Sequence, residues 1–212
     1  EGRISDNVVL MTACARGVIL GAPGGSQPGY EIDAGYSAKD GRLLWGPINR
    51  TLTPFTNKPL GPARDGVYTE YTQQSMTWIG YSLKTGEKLW GPTEPFNTTA
   101  WAYYEVQAIA AYGNIYINDF GGNVHAYALA TGKHLWDWNS GSSGYETPYG
   151  VWPILKLEAV ADGKVYVSGG HMYSPPLFRG SRLYALNATT GEEIWDILDF
   201  PITNSATAAL AD

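Results

Sequence analysis

One short turn occurs four times in this chain, each time with the same step from glycine to tryptophan. Thr190-Gly191 is followed by Trp195, Thr131-Gly132 by Trp136, Thr85-Gly86 by Trp90, and Asp40-Gly41 by Trp45. The period is about 45 residues with one longer unit. Self-similarity at such a period is the mark of a repeat architecture, and 40–50 residues is roughly the length of a four-stranded propeller blade. One four-stranded sheet cannot bury both of its faces alone, so units of this kind must stack.

Other features recur in phase with the tryptophans. A glycine opens a short β-branched and aromatic run at Gly17-Val-Ile-Leu, Gly66-Val-Tyr-Thr, Gly113-Asn-Ile-Tyr-Ile and Gly163-Lys-Val-Tyr-Val. Glycine supplies the turn and the run supplies a strand. Apolar runs precede it at Val8–Ala13, Val106–Ala111 and Leu157–Ala161. Further strands follow at Tyr30–Ser37, Met76–Leu83, Val124–Leu129 and Arg182–Leu186, and a fourth ends in each tryptophan. Small residues stand five places before the Thr-Gly or Asp-Gly pair: Gly35, Gly80, Ala126 and Ala185. They leave room for an indole, so the tryptophans read as packing residues before ligand contacts. The expectation is an all-β propeller of antiparallel four-stranded blades at about 7–45, 66–90, 104–136 and 155–195. Residues 204–212 repeat the run before Gly163, so a fifth blade starts there. The chain then reads as part of a larger propeller; closure of a small four-bladed ring is the alternative, since propellers run from about four to eight blades.

Ala185-Leu-Asn187-Ala-Thr-Thr190-Gly191-Glu-Glu-Ile-Trp195 resembles the tryptophan-docking repeat of pyrroloquinoline-quinone-type β-propellers, with Asn187 where that family carries Asp. Ala126–Trp136 keeps Ala, Thr, Gly and Trp but has Ala128 at the Asp place. The other two copies start at Gly35 and Gly80 and carry Ser37 and Ser82 there. The resemblance implies the fold over nearly the whole chain and an extracytoplasmic location. It does not choose an activity, because function on a shared fold lives in the site.

Composition narrows the classes. The 212 residues hold 26 Gly, 15 Tyr and 8 Trp, with only 16% charged residues and a net charge of −6. That is enough chain for a real core and suits a turn-rich all-β protein. No run of eighteen apolar residues is present, so no membrane-spanning helix is expected. No basic cluster favours nucleic acid. The one cysteine, Cys14, reads as a buried free thiol and forms no disulfide within the chain. Asn49, Asn97 and Asn187 each begin an Asn-x-Thr sequon, which favours an exported, glycosylated protein; Asn187 also has a role in the repeat turn.

Chemistry-bearing motifs are sparse. Gly21–Tyr30 is glycine-rich, but no Gly-Lys-Ser/Thr follows, so a strand-to-strand loop is expected. Residues 46–65 read as a Pro-rich connection. His125, His134 and His171 have no metal-ligand spacing, and His125 and His134 are expected to face outward. Glu192 and Glu193 read as solvated. No Gly-x-Ser-x-Gly elbow and no Cys-x-x-Cys-His haem motif occur. Binding candidates lie on loops, which carry function more often than strands do: Tyr145, Glu146, Tyr149 and Trp152 in one insertion, His171, Tyr173 and Arg179 in another, and Trp101 and Tyr104 before an inner strand. The plainer reading is that these aromatic residues hold their own loops down.

Three functions are weighed. The first is a non-catalytic scaffolding or partner-binding module, secreted or on the cell surface, whose partner is another protein or the remaining blades of a longer chain; it needs no cofactor. The second is part of a quinone-dependent dehydrogenase. Only that reading calls for pyrroloquinoline quinone and calcium, and the vicinal cysteine pair that the resemblance implies for the quinone is absent. The third is a carbohydrate-binding propeller, suggested by the aromatic loops. An open set of blades needs more chain or a second copy to cover its edges.

Overall fold

In the computed structural model, residues 2–17, 27–54, 56, 58–95, 106–170 and 182–198 are described. All regular structure among them is β. The strands are β1 (Gly2–Ser5), β2 (Val8–Gly17), β3 (Gln27–Ser37), β4 (Leu43–Leu52), β5 (Leu60–Arg64), β6 (Val67–Thr72), β7 (Thr77–Ser82), β8 (Lys88–Trp90), β9 (Gln107–Ala111), β10 (Asn114–Asp119), β11 (Asn123–Ala128), β12 (His134–Asn139), β13 (Ile154–Ala161), β14 (Lys164–Gly169), β15 (Arg182–Asn187) and β16 (Glu193–Leu198). They form four antiparallel sheets, each of four strands paired in chain order. No helix among the described residues is long and apolar enough to cross a membrane. The chain divides into two compact units, Glu1–Pro95 with Leu129–Gly132, and Phe96–Ala128 with Lys133–Asp212. The fifth-blade segment 204–212 and the Cys14 side chain lie outside the described residues, as does most of the glycine-rich loop.

Turn chemistry sets the hairpins. The turn before the second strand needs a left-handed residue, and Gly66, Gly113 and Gly163 supply it with φ of 78°, 72° and 65°. In the first sheet Asn7 takes that place at φ 61°, because asparagine tolerates the left-handed region. Gly17 is therefore not the turn. Val8–Ala13 belongs to the second strand and Gly2–Ser5 is the first, one strand earlier than the sequence suggests. The Pro-rich connection is also shorter than expected. β4 runs past Trp45 to pair Leu52 with Gly29, and Leu60–Arg64 forms β5.

The tryptophan turns share one geometry. Trp45 Nε1 donates to the Leu83 carbonyl at 2.7 Å, Trp90 to Leu129 at 2.7 Å and Trp136 to Ala188 at 3.2 Å. Each acceptor stands three residues before the glycine of the following repeat. A Cβ on Gly86, Gly132 or Gly191 would lie 2.5 Å from the docked indole. A Cβ on Gly35 or Gly80 would strike the indole of its own sheet at 2.3 or 2.1 Å. In the turns, Ser82 Oγ and Asn187 Oδ1 each accept two main-chain N–H groups, and Ser37 Oγ accepts one. This explains why Ser and Asn exchange at that position. Each unit has its own core: Leu10, Trp45, Leu60, Tyr68, Tyr81 and Leu83 in the first, and Tyr116, Val124, Trp136, Ile154, Val165, Val167 and Leu186 in the second.

Candidate functional site

Strand alternation places Glu31, Asp33 and Gly35 on one face of β3. In the same unit, these meet Tyr68 and Glu70 of β6, Arg50 of β4 and Lys58 just before β5. Arg50 donates from Nε to Asp33 Oδ2 at 3.0 Å, and from Nη2 to the Tyr68 hydroxyl at 3.2 Å and the Gly86 carbonyl at 2.9 Å. Its guanidinium lies 4.2 Å from the centre of the Tyr81 ring. The Tyr68 hydroxyl donates to Asp33 Oδ2 at 3.2 Å. Lys58 Nζ sits 3.3 Å from Glu31 Oε1 and 2.5 Å from Glu70 Oε2. All three carboxylates are buried.

Three acids face two bases, so one negative charge is in excess. The cluster relieves it with a proton. Burial, then the Glu70 charge and a hydrogen bond shared with Glu70, push the Glu31 carboxyl up to about 8, which keeps it neutral at pH 7. Burial opposes the charges of Lys58 and Arg50, but Glu70 and Asp33 outweigh it and hold both above their ordinary values. Each carboxylate offers one oxygen within 4.8 Å of the others, a donor set that would suit a hard cation. The Lys58 ammonium already stands between Glu31 and Glu70, so the set does not fit a calcium ion. The cluster's chemistry is charge compensation and proton storage inside a packed core.

The second unit has a buried histidine. His125 Nδ1 lies 2.6 Å from Asp137 Oδ1, and its Nε2 lies 3.2 Å from Asp119 Oδ2. Asn123 Nδ2 donates to both Asp119 oxygens at 2.9 and 3.1 Å, and Asn139 donates to Asn123 at 2.7 Å. Burial opposes the imidazolium, but the bonds to Asp119 and Asp137 prevail and raise its pKa. The bond from His125 leads the causes that draw the Asp137 carboxyl down to about 2. With both ring nitrogens donating, the imidazolium has no lone pair to act as a base. The expectation that His125 faces outward is overturned; of the two strand histidines His134 is the exposed one, 2.9 Å from Asp137. The place of His125 in the repeat is occupied elsewhere by Ala34, Ile79 and Tyr184, all inward-facing. Alignment of the four copies would have revealed this.

The aromatic loop behaves differently from both clusters. Ser142 and Val151 form an isolated bridge that closes it. Tyr145 is fully exposed at the tip, with Glu146 beside it. Tyr149 packs edge-on against Phe120 at 4.9 Å, and the Arg182 guanidinium lies 5.1 Å from the Trp152 ring centre. The half-buried pair fastens the loop and leaves Tyr145 free. Trp101, Tyr104, His171, Tyr173 and Arg179 lie outside the described residues. Of the sequons, Asn49 is exposed, Asn187 is partly buried in its turn, and Asn97 lies outside the described residues. Glu192 and Glu193 are exposed.

Residues 121–198 match the sequence family described as outer membrane protein assembly factor BamB. No curated protein matches the chain. Among solved structures, a quinohemoprotein alcohol dehydrogenase from Comamonas testosteroni superposes with a TM-score of 0.56 at 14% identity, covering 92% of this chain and 37% of that one. A europium-containing methanol dehydrogenase gives 0.52 at 13%, covering 91% and 45%. BamB from Moraxella catarrhalis gives 0.46 at 18%, covering 92% and 63%. The chain thus spans less than two thirds of each of these proteins. At such identities the likeness to the two dehydrogenases is one of fold. The four antiparallel sheets and the recurring Gly-to-Trp turn are those of a β-propeller fold, and residues 121–198 match the pyrroloquinoline-quinone-type repeat of that family model.

Proposed function

We propose that the chain is a non-catalytic propeller module that binds other proteins as a scaffold outside the cytoplasm. The observation that carries this reading is β16. All six of its residues are exposed, and four of them are Ile194, Trp195, Ile197 and Leu198. An edge strand so apolar is a site for association. Among the described residues, the buried acids of the first unit pair with Arg50 and Lys58, and His125 of the second pairs with Asp119 and Asp137. The match to a family named for outer-membrane protein assembly supports both a protein partner and an extracytoplasmic setting, and the exposed sequon at Asn49 agrees with export.

The test is photo-crosslinking in the source cells, with a photoreactive residue at Ile197 and a control at exposed Lys84. The reading expects protein adducts from Ile197 well above the control. Equal labelling at the two positions sinks it. A quinone absorbance band after addition of pyrroloquinoline quinone and calcium would move the assignment to the dehydrogenase. Glycan retention that is lost in Tyr149→Ala and Trp152→Ala would move it to the carbohydrate reading. Intact mass in sugar-sized steps above the polypeptide would show the sequons in use.

A further inference from the structure

We infer that protonated His125 holds the 139–152 loop on the turn between β10 and β11, and that the loop loosens as His125 gives up its proton. The histidine, the turn and the loop all belong to the second unit. The loop carries Tyr145, Glu146, Tyr149 and Trp152, and its fastening does not depend on what those residues meet. Its foot stands on the turn. Ser140 donates its N–H to the Gly122 carbonyl at 2.8 Å and its hydroxyl to the Trp152 carbonyl at 2.5 Å. A Cβ on Gly122 would lie 2.4 Å from Ser140 Oγ and 2.9 Å from the Trp152 oxygen, so foot and turn touch without a gap. Phe120 of the same turn packs edge-on against Tyr149. Asn139 donates to Asn123 Oδ1 at 2.7 Å and accepts the Gly141 N–H at 2.8 Å.

The turn is in its own right held by one buried carboxylate. Asp119 accepts Asn123 Nδ2 on both oxygens at 2.9 and 3.1 Å and the Asn123 N–H at 3.4 Å, and its ion pair is with His125 Nε2 at 3.2 Å. Hydrogen bonds thus run without a break from the imidazolium through Asp119, Asn123 and Asn139 to the first residues of the loop. The charged groups acting on His125 are Asp119 from β10 and Asp137 from β12, and His134 meets Asp137 from its other side. Protonated, the ring gives one N–H to each acid. Neutral, it has one N–H for two carboxylates. Either tautomer removes the positive charge that balances Asp119. Asp137 tolerates this because its side chain is 55% exposed to water. Asp119 has no other ion pair among the described residues, and a buried carboxylate without one is costly. It draws in water, and the turn wrapped around it, on which the loop stands, is the part that gives way. The two acids hold the His125 pKa above its ordinary 6.5, so the fastening is complete below pH 6.5 and is lost as pH rises through the raised value.

Hydrogen exchange read by mass spectrometry on the whole chain tests this, each rate being referred to the intrinsic amide rate at that pH, from about pH 5.5 to about 8.5. Protection of the 140–152 amides is expected to fall roughly tenfold or more across that range, as for a lost hydrogen bond to a charged group. At the upper end the loop is expected to exchange faster than β14 of the same unit, as for a local opening. His125→Gln is expected to leave the loop poorly protected at every pH. Asn139→Ala, at an exposed residue, cuts the path without touching the histidine and is expected to do the same, so it decides the matter should His125→Gln fail to fold. His134→Gln is expected to keep the wild-type profile, because His134 bonds Asp137 and not Asp119. A wild-type profile flat in pH overturns the inference. So does a slope that survives in His125→Gln or Asn139→Ala, or one that vanishes in His134→Gln. Equal protection of loop and β14 at high pH overturns it as well, since the whole unit would then be opening.

Discussion

Trp45 and Trp136 make the same joint in opposite chemical surroundings. Trp45 lies parallel to Tyr68, ring centres 6.1 Å apart, beside the Arg50–Asp33 pair and the Lys58 cluster. Trp136 is tilted on Tyr116 at 5.9 Å and sits among Val124, Ile154, Val165, Val167 and Leu186. The register position held by Glu70 in the first unit is Ile117 and Val167 in the second. The joint survives the exchange because its parts are an indole, a main-chain carbonyl and a glycine, none of which depends on neighbouring side chains. What surrounds it can be ionic or apolar, provided that every buried charge is compensated.

The largest expected effect is common to both units. Trp45→Ala and Trp136→Ala should each cost about 3–5 kcal/mol in urea unfolding, as for a buried aromatic side chain removed from a core. A cost confined to one of them breaks the equivalence of the joints. Next, Lys58→Met should cost about 3 kcal/mol, because it leaves buried carboxylates uncompensated. Adding Glu70→Leu should recover most of that loss in a double-mutant cycle. No recovery would mean that the cluster is not an energetic unit.

Glu31 gives the first unit a distinctive pH dependence. Its folded pKa, about 8, lies above the ordinary 4.5, so the folded state holds a proton that the unfolded chain releases. Stability should then fall as pH rises from about 4.5 to about 8 and level off beyond. Glu31→Gln should flatten this slope, readable in thermal melts across that range. His125 works in the second unit. Its folded pKa lies above the ordinary 6.5, so its contribution is complete below 6.5 and fades as pH climbs through the raised value. His125→Gln should therefore cost about 1–2 kcal/mol in acid and less in alkali. The smallest effect belongs to the residues before the tryptophans: Leu44, Leu89 and Leu135 are all exposed, and changing any of them to Ser should alter stability by under about 0.5 kcal/mol.

The repeat made the sheets legible because the Gly-to-Trp step and the period-2 strands are local patterns. The first sheet shows the limit. Asn7 does the work of a turn glycine, and nothing in the first seventeen residues marks it above Gly17. The polar clusters were hidden for a different reason. Glu31, Arg50, Lys58 and Glu70 come from four strands or loops, and no spacing along the chain brings them together. His125 is hard to place from sequence because a polar residue on a strand reads as solvent-facing, although three aligned copies carry inward-facing residues at its place. The aromatic loop was half legible: its residues were found, but which of them are fastened was not.

The sequence by itself determined the all-β fold, the fourfold repeat and the place of each tryptophan, because turns and strand alternation are written in neighbours. Only the tertiary structure decided which tryptophans are covered, which charges are paired and which carboxyl keeps its proton. Those depend on distances between residues far apart in the chain: Trp195 carries the same local motif as Trp136 yet is 37% exposed where Trp136 is 7%.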